Sequence, residues 1–320
     1  MNNNILKRKP IFVALVVLLA VSVLSGCVSK LAVDAPALWR VTSPEGQVMY
    51  LFGTIHMATD DLYPLPGYIT GAFDDSGYLA VEANVLGATD PSGIADMDMS
   101  ALMYTDGRSA VDDIGEELFG RTMEALAEFT GLSNAELAAF GMFKPFMLAI
   151  QLEGLLLMET GMQMNAGVDM YFLQEAVDRD MEILETESVT MQLDMLGGFS
   201  IPLQIAYLEM TLEALDEMET SQEELSVEDY ALYTAWRQGD LAALEELIAE
   251  GTMPFDDAEL NEEYYDALIT YRNIGMADKA EEYMADGKTV FFTAGAAHMA
   301  GDGGIADLLT ERGYDVERMN

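Results

Sequence analysis

Runs with strand character crowd the two ends of this chain, and helical patterns fill the space between them. That order is the strongest constraint on its fold. Near the N-terminus "LWRVTS" and "QVMYLFGTI", separated by "PEG", read as a hairpin, and "SGYLAVEANV" reads as a further strand. Near the C-terminus "KTVFFTAG" and "YDVERM" read as strands around the helix "GGIADLLTERG", which ends at Gly313. From about Asp112 to Met284, the stretches "GEELFGRTMEALAEF", "KPFMLAIQLEGLLLMET", "GVDMYFLQEAVDRD" and "LAALEELIAE" place apolar residues three and four apart. One short strand, "MEILET", interrupts them. A hairpin on its own is marginal in water. The chain is therefore expected to form one α/β domain, with a mixed central sheet built from N- and C-terminal strands around a long helical middle.

Such a sheet can unite the two most distinctive residues of the sequence. The only histidines, His56 and His298, each end a Gly-x-x-His pattern just past a strand: Gly53-Thr-Ile-His56 and Gly295-Ala-Ala-His298. In open α/β sheets, sites gather at the carboxyl ends of strands, so imidazoles far apart in sequence can meet there. The glycine three residues earlier leaves room for close packing or for a ligand to approach the backbone. Imidazole near neutral pH is both a metal ligand and an acid–base group. A single histidine after a strand is commonly a hydrogen-bonded structural residue, but the shared spacing favours a joint role.

The first 26 residues stand apart from the fold. Lys7, Arg8 and Lys9 precede the apolar run "IFVALVVLLAVSVL", and "LSGC" closes it at Cys27. This is the layout of a secretory signal, and the run is short of the roughly 20 residues that span a bilayer. Its ending resembles the bacterial lipoprotein box, in which the chain is cut before the cysteine and lipid is attached to it. Cys27 is the only cysteine, so no internal disulfide can form. Residues 1–26 are thus expected to be a lipoprotein signal peptide, 27–36 a tether and 37–320 the folded domain, held outside the cytoplasm on a membrane by its N-terminal lipid. Beyond the leader, 12 Lys and Arg face 56 Asp and Glu, a formal charge of −44. No basic patch exists to displace counterions from phosphates, so nucleic acid is not an expected partner. The acids interleave with Leu, Met, Phe and Tyr, which argues for a folded core and against a disordered acidic tail.

Two imidazoles leave a metal site one ligand short, and cysteine is unavailable. Glu82 ends the apolar run "YLAVEANV", where a carboxylate is costly unless paired or bound to an ion. Two His and one carboxylate form a known catalytic arrangement for zinc, iron or manganese. Glu185 in "EILETE" is a second candidate, suited to orienting a ligand. Asp302 in "HMAGDGGIADLL" is expected to cap the following helix. Arg272 in "TYRNIGMADK", in a chain so poor in bases, will find carboxylate partners. The methionines of "METGMQM" are expected to pack a core or groove, not to bind copper.

Together, "LFGTIH", "VEAN", "KPF", "GVD", "LET" with Gln192, "YRN" and "TAGAAHMAGDGGIADLLTERGYDV" resemble the TraB/GumN family, which includes pheromone-shutdown and Tiki-related proteins. The similarity runs from about Leu38 to Val316, dense at the ends and sparse in the helical middle. Two positions depart from the family pattern: Ala297 where Gly is common, and Phe146 where Trp is. The resemblance implies a fold related to the erythromycin-esterase and ChaN type. It implies metalloprotease activity supported by manganese or cobalt (zinc is also compatible with the ligand set), with His56, Glu82 and His298 as metal ligands. It also implies a site-orienting role for Arg272 and Asn273. The expected function is metal-assisted hydrolysis of peptides, with Glu82 or Glu185 taking the proton of water. Backbone N–H groups of the glycine turn after His298 are expected to face the oxyanion. The alternative is a lipoprotein that binds peptide or metal without cleavage, since activity need not follow from fold.

Overall fold

The computed structural model describes residues 34–86, 98–159, 161–221, 231–299 and 301–320. The leader, Cys27 and most of the tether lie outside them. Six strands form one mixed sheet: β1 (Leu38–Thr42), β2 (Val48–Thr54), β3 (Tyr78–Val81), β4 (Glu182–Glu185), β5 (Val290–Gly295) and β6 (Asp315–Arg318), in the order β4-β3-β5-β2-β1-β6. The hairpin β1–β2 is antiparallel, with Leu38 opposite Phe52, and β6 adds antiparallel to β1. The other four strands, β2, β5, β3 and β4, run parallel. The C-terminal strand β5 sits between β2 and β3, placing Met49 and Tyr78 beside Val290. The sheet is thus assembled from both ends of the chain around a helical middle, as the strand distribution requires.

Parallel strands buried on both faces carry apolar side chains in both directions. Tyr50, Phe52, Leu79 and Phe291 point into a large core on one face, while Met49, Leu51, Ala80 and Phe292 point into a smaller one on the other. Burying each large apolar side chain contributes about 1.5–3 kcal/mol. On the larger side lie α1 (Gly67–Asp74), α2 (Ala110–Thr130), α3 (Pro145–Glu159), α4 (Val168–Asp178), α5 (Val189–Gly197), α6 (Ile201–Ser221), α7 (Ala231–Gln238), α8 (Leu241–Thr252) and α9 (Ala258–Tyr265). Phe52, Phe73, Phe172 and Phe291 stack as one aromatic group between sheet and helices, with centroids 4.7–5.8 Å apart. On the smaller side, α10 (Tyr271–Ala285) and α11 (Ile305–Glu311) pack through Met276, Ala280 and Ile305. Ser188 caps α5 by accepting the N–H of Met191, and Asp240 caps α8 by accepting that of Ala243. Between α9 and α10, Asp266–Thr270 winds as a π-helix. Among the described residues no helix is long and apolar enough to cross a membrane.

Candidate active site

The parallel strands bring their carboxyl ends to one edge, and a titratable side chain stands shortly after each. His56 follows β2, Glu82 follows β3, Glu187 follows β4 and His298 follows β5. His56, Glu82, Arg272 and His298 line one cavity. Its walls are apolar, formed by Leu157 of α3, Met162, Leu232 of α7, and Leu268 and Ile269 of the π-helix.

Each imidazole is fixed by its Nδ1. His56 Nδ1 lies 2.9 Å from Oδ2 of Asp169, whose Oδ1 accepts the hydroxyl of Thr54. His298 Nδ1 lies 2.7 Å from Oδ1 of Asn273. The Asn273 amide is itself oriented, because its Nδ2 donates to the carbonyl of Gly303 at 2.8 Å. Oδ1 can then only accept, so His298 carries its proton on Nδ1 and leaves the Nε2 lone pair free. No described residue engages either Nε2 through a hydrogen bond. A ring nitrogen held by a carboxylate or an amide oxygen, with the other left open, is the arrangement of metal-binding histidines. The two rings differ in setting: the His56 side chain is 35% exposed, whereas His298 is 5% exposed.

Contact explains the glycine of the first Gly-x-x-His motif more strongly than that of the second. A Cβ on Gly53 would stand 3.0 Å from the Ala296 Cα, in the turn that carries His298. A Cβ on Gly295 would stand 3.4 Å from Oε1 of Glu82. The Gly53 carbonyl accepts the indole N–H of Trp236 at 2.8 Å, tying the first motif to α7. A third glycine is constrained more tightly than either. On Gly167, before α4, a Cβ would fall 2.2 Å from the His56 carbonyl oxygen. The Val168 N–H donates to the Ile55 carbonyl at 2.9 Å. This close docking of Gly167 and Val168 on the first motif delivers Asp169 to His56.

Glu82 is held from three sides. Its Oε1 accepts the N–H of Gly295 at 2.6 Å, and its Oε2 accepts from the Gln192 amide at 3.2 Å and from Arg272 Nη2. Arg272 also makes a two-point pair with Glu187, at 2.8 and 2.9 Å, and donates to the Leu268 carbonyl of the π-helix. The irregular turn sets Leu268 and Ile269 in the cavity wall and Arg272 and Asn273 behind the two motifs. Isolated π-turns recur at functional sites for this kind of re-aiming.

The charges separate the two imidazoles. Burial alone would lower His56, but the Asp169 carboxylate and its hydrogen bond, with Glu82 further off, raise it to about 9. Burial and the neighbouring Arg272 guanidinium push His298 down to about 3, with Glu82 opposing. Burial works to raise Glu82, yet the Arg272 charge, the two histidines and the Gly295 N–H hold it well below the usual carboxylate range.

Among the described residues, three carboxylates, Asp169, Glu82 and Glu187, face one guanidinium and the protonated His56 ring, which leaves a residual negative charge that suits a cation. Two oriented imidazoles beside a carboxylate fit such an ion in donor type. Among the described residues, however, no three His, Cys, Asp or Glu side chains stand close enough to hold an ion together. The carboxylate arm is engaged by Arg272, Gln192 and Gly295, so it would have to exchange those partners to become a ligand.

Of the residues singled out from sequence, His56, Glu82, Arg272 and His298 meet at the cavity, and Asn273 supports His298 from behind. Glu185 does not reach it. It lies on the edge strand β4, exposed, where its Oε1 accepts the Asn84 N–H at 2.7 Å. Glu187, two residues on and with its side chain 7% exposed, takes the place beside Arg272. Asp302 does not cap α11: Gly304 is the N-cap, and Asp307 accepts the Gly303 N–H. The N–H groups of Gly303 and Gly304 are thereby both engaged, the latter with the Gly301 carbonyl, and neither is free for an oxyanion. Asp169 and Glu187 were not identified from sequence as site residues. The signal for Asp169 was the "GVD" run, whose glycine reports a close approach of two backbones.

A sequence model of the TraB/PrgY/gumN family matches residues 37–318. The chain is also similar to the uncharacterised protein YbaP of Escherichia coli (strain K12), 23% identical over 270 residues, covering 84% of this chain and 90% of the relative. The YbaP protein of Shigella flexneri matches to the same extent. No solved structure matches.

Proposed function

Because the chain belongs to the TraB/PrgY/gumN family, we propose that its cavity is the active site of a divalent-metal-dependent hydrolase of peptides. His56 and His298 would hold the ion through Nε2, with Glu82 as the carboxylate beside it and manganese, cobalt or zinc as the ion. The observation that carries this reading is the pair of imidazoles, each with Nδ1 held by a partner from the helical layer, opening on one cavity. A divalent ion there supplies Lewis acidity and lowers the pKa of water toward about 7.

The chain's own residues supply the rest. Asn273 keeps His298 in the tautomer that presents the Nε2 lone pair, and Asp169 holds in place the His56 ring, whose second proton, on Nε2, would leave as an ion binds. Glu82 is the cavity-lining carboxylate, and it takes the proton from water. Glu187 keeps Arg272 in place through its two-point pair while Glu82 changes partners. The apolar walls receive aliphatic side chains of a peptide and exclude water, which strengthens the charge interactions within. At its N-terminus the protein is proposed to be exported and acylated on Cys27, so that hydrolysis takes place outside the cytoplasm at a membrane. Labelled fatty acid should enter the wild-type chain and not Cys27→Ser.

One observation favours a second reading, a lipoprotein that captures peptide or metal without cleaving it. Glu82 is bound by three donors, which leaves little basicity for proton transfer. A peptide library incubated with the soluble domain and manganese or cobalt, read by mass spectrometry, separates the two. Cleavage that stops with chelator and with His298→Ala supports the hydrolase. Binding without cleavage supports capture, and neither result leaves the site structural.

A further inference from the structure

Behind the apolar wall of the cavity lies a polar group that the proposed hydrolysis does not use. Glu153 of α3 is 5% exposed, and Leu157, one helical turn along the same helix, lines the cavity. From α6 Tyr207 and Thr211 stand beside its carboxyl, with the Thr211 hydroxyl donating to the Tyr207 carbonyl at 2.9 Å. From α9 Tyr264, one turn before the wall residue Leu268, senses its charge and packs on Tyr207 with centroids 5.5 Å apart. Both tyrosines are fully buried, and among the described residues neither hydroxyl completes a hydrogen bond of good geometry. Phe146, Phe199 and Phe255 surround the rings.

No cation or second carboxylate acts on Glu153 from α2, α5, α6 or α9 among the described residues. Lys144, just before α3, donates to the carbonyl of Gly197 at the end of α5, and Arg121 of α2 pairs with Asp216 of α6. Glu263 of α9 accepts from Ser200. An ionised carboxylate among aromatic rings with no countercharge is heavily disfavoured. Buried polar groups without good partners call for an explanation.

We infer that Glu153 is a buried proton site: its carboxyl is carried neutral in the folded chain, and its ionisation loosens the wall of α3, α6 and α9 on which Leu157 and Leu268 stand. Burial pushes Glu153 up to about 8, and the hydroxyls of Tyr207 and Thr211 pull it back only in part. In the unfolded chain a glutamate ionises near 4.5. Relative to a neutral side chain of the same shape, stability is therefore lost as pH rises from 4.5 to about 8. Above that range the native carboxyl ionises too, and the loss levels off.

Glu153→Gln supplies the neutral isostere. The denaturant midpoint of wild type should fall relative to the variant across that window and then run parallel to it; a gap that does not vary with pH overturns the inference. Infrared spectroscopy of the wild-type chain at neutral pH should show the C=O stretch of a protonated carboxyl, and its absence overturns the inference even if the variant folds poorly. At about pH 9, amide protons of α3 and α9 should exchange faster in wild type than in Glu153→Gln. Equal protection at the same pH would show that the wall does not respond to this proton.

Discussion

His56 and His298 are the same side chain after the same motif, yet their surroundings drive them apart. An aspartate behind one ring and an arginine beside the other leave the first protonated and the second neutral at neutral pH. Because the chain has only two histidines, proton NMR can follow both without assignment ambiguity. In the metal-free protein, one imidazole should remain protonated up to about pH 9 and the other neutral down to about pH 3. Against an unfolded value of 6.5, the raised His56 adds stability in full below 6.5 and loses it as pH climbs through about 9. His298 does the reverse: its contribution is present above 6.5 and is lost as pH falls toward about 3. Asp169→Asn removes the charge that raises His56, so that ring should titrate about 1–3 pH units lower. An unchanged His56 titration in Asp169→Asn would mean that Asp169 does not set the state of the ring.

Elements were more legible than contacts. All six strands and the helix after the second motif follow from β-rich runs and turn residues, and their union in one mixed sheet follows from their crowding at the chain ends, whereas the parallel pairing of β2, β5 and β3 was seen only in the fold. Glu82 could be singled out because an acid in an apolar strand needs a partner. Glu185 looked alike in sequence, but β4 proved to be an edge strand, which leaves its side chain in solvent. Asp169 and Glu187 act through long-range contacts with His56 and Arg272, and local periodicity carries no record of such pairs. The π-turn before Arg272 was equally hidden, since it changes the helix register without changing composition. Glycine substitutions test how the elements dock. Gly167→Ala places a methyl group 2.2 Å from the His56 carbonyl oxygen, and overpacking of this kind costs about 1–3 kcal/mol. Gly71→Ala, inside α1 with nothing near the new methyl, should instead stabilise by about 0.5–1 kcal/mol. Urea unfolding of both variants reads the contrast; equal effects would show that the Gly167 contact is not tight.

Across the whole molecule the dominant fact is charge. A formal −41 on 320 residues repels itself in the compact state, and salt should relieve it. The Debye length shrinks from about 30 Å at 0.01 M to about 3 Å at 1 M salt. The melting temperature should therefore rise with sodium chloride over that range, and a fall would mean that attractive pairs outweigh the repulsion. The same excess of carboxylates at the sheet edge, facing two oriented imidazoles, underlies the proposed cation site. Its most direct test is equilibrium dialysis against manganese followed by elemental analysis, on wild type, His56→Ala and His298→Ala chains checked for fold by circular dichroism. One ion per wild-type chain is expected, lost in both folded variants; uptake that is the same in all three would show that the two histidines hold no ion.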